Sequence, residues 1–320
     1  MRIRQIISTL VLLSVLCCGT VFAEVGTEET ANFVLQSVSD PTVSSIGGEW
    51  AVMGISRSGI EVPGSYYSEY LNRVYAAMDN AGGDLGRKYT EYSRIALSLL
   101  ELGVSPYSVG SGEYNLLDYI NDYDKVIVQG INGPIFALQA KYYAKDSNSE
   151  TSNKYLNYIL ERQNSNGSFG VSDNVPDTDI TAMAIGALCL YGGDYRVDRA
   201  INRAFLYLSS VQLSDGSFSA SVGSEASCES TAQVVVAMKR YGLSPNDKYF
   251  TKNGKTPTDA LNNFRREGGG YVHLNSENTV NQMATEQALY ALTEPQQPIK
   301  TLMYDLLWFE ANSKYLESVS

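Results

Sequence analysis

The chain has 320 residues, with 24 Lys and Arg against 35 Asp and Glu and a net charge of −11. That balance argues against nucleic acid and anionic membrane surfaces as partners. Of its four cysteines, Cys17 and Cys18 fall in a leader, so the fold cannot be a disulfide-stapled one and must hold itself by its core.

Residues 1–23 read as a secretory signal peptide. Arg2 and Arg4 open it, residues 6–18 are mostly apolar, and Val21-Phe22-Ala23 ends it on a small residue. Its removal takes the net charge from −11 to −13. A lipoprotein signal wants a small residue before its cysteine, but Leu16 precedes Cys17 and Cys17 precedes Cys18. No later apolar run reaches the roughly 18 residues of a membrane helix. The expectation is an exported, released protein with one domain over residues 24–320.

Along that domain, short one-sided helical stretches alternate with small-residue apolar ones. Residues 32–38 precede Gly47-Gly48-Glu49-Trp50 and a helix. Residues 66–78 precede Gly82-Gly83-Asp84 and a helix from Thr90. Residues 115–123 precede one from Gln129. Residues 154–243 then write one sentence twice. Gln163, Gly167, Phe169 and Thr181-Ala182 recur as Gln212, Gly216, Phe218 and Thr231-Ala232. A last unit runs through residues 258–264, Gly268-Gly269-Gly270-Tyr271 and a helix from Thr285; residues 299–316 close the chain.

Repeats of this length built from two helices stack and share a core. The second helix of each pair is apolar all round and rich in Ala and Gly, so it is buried. In the first helices, Ile201, Phe205, Leu208 and Val211 make a single stripe. The reading is all-α: an α/α toroid of six inner and six outer helices. At the turns, Gly167 and Gly216 suit a positive φ, Phe169, Phe218 and Tyr271 pack over them, and Gln163 and Gln212 are expected to bond the exposed amides of the next helix.

The Gln163–Phe169 and Gln212–Phe218 stretches resemble the glutamine-aromatic repeats of squalene and terpene cyclases. The six-pair ring resembles the toroid of those cyclases, of protein prenyltransferase β subunits, of complement thioester domains and of the helical domain of cobalamin carriers. The cyclase resemblance implies an acid at Asp179 within Asp177-Thr178-Asp179-Ile180-Thr181-Ala182, but Ile180 stands where the cyclases carry a further Asp. Prenyltransferase zinc would need Asp, Cys and His; His273 is the only histidine and Cys228 lacks the Asp two residues before it, so no metal is expected. The Gly-Cys-Gly-Glu-Gln of thioester domains is absent. The inner-helix sequences are most similar to cobalamin carriers and to secreted bacterial proteins with prenyltransferase-like repeats. That resemblance implies ligand-facing Asp179, Glu229 and Gln287, a corrinoid ligand, and a separate β-rich polypeptide or membrane receptor to close over it.

The inner helices all begin at one end of the ring, where free amides and positive dipole ends form a mouth. Asp177, Asp179, Glu229, Gln282, Glu286 and Gln287 lie at or just inside it. They read either as a polar rim over an apolar, tyrosine-lined cup or as helix caps, with Asp179 and Glu229 each ahead of a helix. Asp173, Asn174, Asp177 and Asp179 lack the spacing of a calcium loop. The expected function is a non-enzymatic binding protein for a bulky, partly apolar small molecule, with ligand-binding Asp177, Asp179, Glu229 and Gln287. The alternatives are a terpene-cyclase-like enzyme using Asp179, or an extracellular protein-binding scaffold. Cys189 sits far along its inner helix and Cys228 at the start of the next, too distant along the axis for a disulfide.

Overall fold

The computed structural model describes residues 25–300 and Leu302. The signal segment and most of the closing segment therefore lie outside the described residues. Lys300 N–H still reaches Gly242 O at 2.7 Å, and Leu302 is buried.

The described residues form helices and isolated β-bridges. In chain order the pairs are α1 (Val25–Ser37) with α2 (Trp50–Ser58), and α3 (Tyr66–Asn80) with α4 (Thr90–Glu101). The short α5 (Leu116–Ile120) and α6 (Tyr123–Val126) together precede α7 (Asn132–Tyr143). Then come α8 (Glu150–Leu160) with α9 (Thr178–Leu188), α10 (Tyr195–Val211) with α11 (Cys228–Tyr241), and α12 (Pro257–Asn263) with α13 (Gln282–Thr293). The second members pack in sequence, α2 on α4, α7, α9, α11 and α13, and α13 returns to α2. The ring is closed, an α/α toroid as the pattern implies. Most outer helices lean on the inner helix of the preceding pair, α5 on α4, α8 on α7, α10 on α9 and α12 on α11, while α1 packs against both α13 and α2.

Helix α9 buries every residue except Asp179 and Met183, the signature of an element packed on all sides. The outer α10 buries Val197, Ile201, Phe205 and Leu208 along one stripe. At Gly54 a Cβ would come within 2.9 Å of Leu289 Cγ, so α2 and α13 close the ring because glycine stands there.

The repeated turn is the joint between pairs. Thr181 Oγ1 accepts the Phe169 N–H (2.9 Å) and donates to Asp177 O (2.6 Å). Thr231 does the same for Phe218 and Ser227, and Thr285 for Tyr271 and Asn281. The recurring threonine thus straps each aromatic turn to its inner helix. The expectation for the glutamines is corrected. Gln163 Nε2 donates to Gly167 O (2.9 Å) and Ala200 O (2.8 Å), and Gln212 Nε2 to Gly216 O and Phe250 O. The carboxamide N–H₂ seeks carbonyls, so it ties the turn to the next outer segment and leaves the helix amides to other caps. Gly167 (φ +91°) and Gly269 (φ +93°) lie where a Cβ would strike Arg203 O and Glu29 O, at 2.3 and 2.6 Å. The second of these contacts joins the last pair to α1.

Around one stretch of the ring axis the described side chains converge. Phe136 and Tyr290 each meet Trp50 edge-on, with centroids 6.3 and 4.7 Å away. With these rings, Met53, Met183, Gln233 and Arg240 are among the residues lining a void of about 20 Å³, room for about one water. Among the described residues, side chains from all six inner helices converge around that void, and Tyr290 is the one tyrosine in its lining.

Candidate active site at the mouth

Three inner helices are capped by the residue before their first turn. Asp177 Oδ1 accepts from Ile180 N (2.9 Å), Ser227 Oγ from Ser230 N (3.2 Å) and Asn281 Oδ1 from Ala284 N (3.0 Å). Asp179 and Glu229 are therefore not the caps. Each is the second residue of its helix, α9 and α11, and its carboxyl serves no helix amide.

Those two carboxyls share one cluster. Asp179 is half-buried, and its Oδ1 is sealed from solvent with no hydrogen-bond partner. Burial pushes its pKa up to about 6; the nearby Ser230 hydroxyl opposes the shift, Asp177 and Glu229 add to it, and His273 opposes it. Glu229 is 4% exposed. Its Oε2 lies 2.7 Å from His273 Nδ1, and its Oε1 is sealed and unpartnered. The His273 side chain is 40% exposed, so the imidazole bridges a buried carboxylate and solvent. Asp177 is also raised by burial, against the pull of the Ile180 and Asp179 amides.

The structure does not join the other expected site residues to this cluster. Gln287 Oε1 accepts from Gln233 Nε2 (2.9 Å), a residue lining the axis void. Glu286 takes the Gly47 N–H on both oxygens (2.9 and 3.1 Å) and Gln282 Nε2 on one (2.9 Å), fixing the turn before α2. Burial raises its pKa to about 7. Asp173 and Asn174 stay exposed on the loop before α9. Among the described residues, no three His, Cys, Asp or Glu converge as metal ligands would.

Sequence reasoning passed over Glu49 and Arg94, and took His273 as an isolated histidine. Glu49 is buried at the start of α2, 3.4 Å from Arg94 Nε. Burial raises it to about 7 against that guanidinium. For His273 the signal was present: counted from the turn aromatic, it stands over the start of the preceding inner helix. Cys189 and Cys228 are both free thiols. Cys228 is fully buried against Ala284 O, and burial pushes Cys189 up to about 12.

No family model and no curated protein matches the chain. Solved structures do. The unsaturated glucuronyl hydrolase of Streptococcus agalactiae superposes with a TM-score of 0.55 at 11% identity, covering 87% of this chain and 91% of that one. That of a Bacillus species, described as responsible for glycosaminoglycan degradation, gives 0.53 at 13% over 83% and 94%. A type II terpene cyclase from Scytonema gives 0.52 at 13% over 84% and 96%. At such identities the likeness is one of fold. The neighbours are enzymes, which corrects the expectation of a non-enzymatic carrier.

Proposed function

We propose that the chain is a hydrolytic enzyme that works by acid–base catalysis at the mouth, with Asp179 as proton donor. The reading rests on a half-buried carboxyl, raised to about 6 and with its Oδ1 sealed and unpartnered, beside a Glu229–His273 dyad. Two carboxylates in unlike environments divide the roles of acid and base. With Nδ1–H donated to Glu229, His273 Nε2 is the basic nitrogen, and its exposure lets it meet water. Asp179 gives its proton to the bridging oxygen of a glycoside as the bond to carbon breaks. His273 takes a proton from the attacking water, and Glu229 stabilises the imidazolium. Both groups return to their starting states by exchange with solvent.

The likeness to glucuronyl hydrolases supports a saccharide substrate, and a half-exposed polar mouth suits one. Terpene cyclisation is less well supported. A polyprenyl chain needs a deep dry cavity, whereas the void that the described residues frame between Trp50, Phe136 and Tyr290 is about 20 Å³, and Ile180 removes part of the acid motif. We also propose that the enzyme acts outside the cytoplasm, where the leader at residues 1–23 would deliver it.

The test is turnover of a panel of unsaturated and saturated uronyl disaccharides and neutral glycosides, read by released reducing ends. Activity should fall as pH rises through about 6, where Asp179 loses its proton. Asp179→Asn and His273→Ala should each lower kcat by roughly 100-fold or more. Full activity in Asp179→Asn would overturn the proposal, as would turnover of polyprenyl substrates with no glycoside turned over.

A further inference from the structure

Asp179 and Glu229 occupy the same place in successive repeats, yet only one has an imidazole. The difference traces to a single loop position. Phe218 and Tyr271 correspond, since each gives its N–H to the threonine of the following helix, Thr231 at 3.1 Å and Thr285 at 2.9 Å. Two residues further on, Ala220 then corresponds to His273. The backbone agrees: Ala220 O accepts from Thr178 N at 3.0 Å, and His273 O accepts from Cys228 N at 2.9 Å. Thr178 and Cys228 are the first residues of α9 and α11, and Asp179 and Glu229 the second. Each turn therefore lays one residue over the start of the preceding inner helix, next to its carboxyl-bearing position. At 273 that residue is a histidine and engages Glu229. At 220 it is an alanine, and Asp179 Oδ1 has no partner.

We propose that Ala220 is a positioning residue whose lack of a side-chain base keeps Asp179 a proton donor, in contrast to its His-paired counterpart Glu229. Its purpose rests on the acid–base reading above; its test does not. The ionisable groups facing Asp179 are Asp177 from its own cap, Glu229 from α11 and His273 from the loop before α13, while Tyr207 of α10 lies against Asp177. Of these charges only His273 favours ionisation of Asp179, and it is already engaged by Glu229. An imidazolium of Asp179's own would add a second.

The experiment is a carbon-13 NMR titration of aspartate carboxyls in the full chain, with Asp179→Asn assigning the resonance. Ala220 is exposed, so substitution there leaves the core untouched. In Ala220→His, Asp179 should bind its proton at least ~10-fold more weakly, the effect of a cation within about 4–6 Å. In Ala220→Asn, similar in size but uncharged, it should titrate as in the parent. An unmoved Asp179 in Ala220→His, or an equal change in Ala220→Asn, overturns the inference. A moved carboxyl in a protein that turns over no glycoside leaves the inference standing and removes the hydrolase reading.

Discussion

The two ends of the inner ring carry similar residues in opposite states. At the end where the helices finish, Arg240 donates to both oxygens of Glu294 (2.9 and 2.8 Å), to Gln139 Oε1 (2.6 Å) and to Tyr290 Oη (2.9 Å). Arg57 joins Glu294 and Glu101, each at 2.8 Å. Burial opposes ionisation of Glu294, but Arg240 and Arg57 outweigh it and hold the carboxyl below its usual range. At the mouth Glu49, Asp179 and Glu286 are all raised by burial, and sealed oxygens of Asp179 and Glu229 lack partners. A buried charge whose hydrogen bonds are all made locks helices together. A buried acid left short of partners stores a proton that a reaction can use. The fold holds its low-lying, fully paired carboxylate at one end and its proton-retaining acids at the other.

The largest expected effect breaks the locked end. Arg240→Ala strands Glu294, Gln139 and Tyr290 inside the ring, and removing one partner of a buried pair costs about 3–5 kcal/mol. At the mouth, Glu286→Gln keeps the shape and still accepts the Gly47 N–H, so near pH 8 it should cost less than about 1 kcal/mol. Urea unfolding of both variants at one pH makes the comparison. Equal losses at the two ends would sink this division of labour.

The next effect is on pH dependence. An unfolded glutamate ionises near its ordinary 4.5, whereas Glu49 and Glu286 in the fold keep their protons to about 7. Between those values the unfolded chain has released protons that the folded chain still holds. Rising pH therefore favours unfolding across that window, and the contribution levels off above about 7. Glu294, held low, contributes in the opposite sense and at lower pH: its share is lost as acid protonates it. Stability measured from pH 4.5 to 8 should flatten in the Glu49→Gln, Glu286→Gln double variant. An unchanged slope would mean that other groups control it.

What the sequence made legible follows the same division. Recurring Gln, Gly, aromatic and Thr positions imposed six pairs and a closed ring, because each serves a local joint that the repeat copies. Asp179 and Glu229 were legible as mouth residues for the same reason. The convergence at the axis was not. Phe136 and Tyr290 share a repeat position, each just before the Ala-Leu of its inner helix, but Trp50 of α2 has no such place in the pattern, and their meeting depends on ring diameter and rotamer. His273 was misread because its partner belongs to the preceding pair, 44 residues earlier. Glu49 was passed over because its Arg94 lies 45 residues on, in the next pair.

The smallest effect separates capping from electrostatics at one residue. Asp177 caps α9 through the Ile180 N–H (2.9 Å) and also presents a like charge to Asp179. Asparagine caps about as well as aspartate, so Asp177→Asn should hold stability within about 1 kcal/mol, the difference being the lost attraction of the charge for the helix dipole. Without that neighbouring charge Asp179 ionises more readily, and the limb on which activity falls with rising pH moves to lower pH by less than about tenfold in proton concentration. Asp177→Ala removes the cap as well and should cost about a further 1 kcal/mol, with the same displacement of the limb. Thermal melts and pH–rate profiles of the two variants together distinguish the roles. A limb that stays in place in both would mean that Asp177 acts on α9 alone and that burial by itself sets the proton affinity of Asp179.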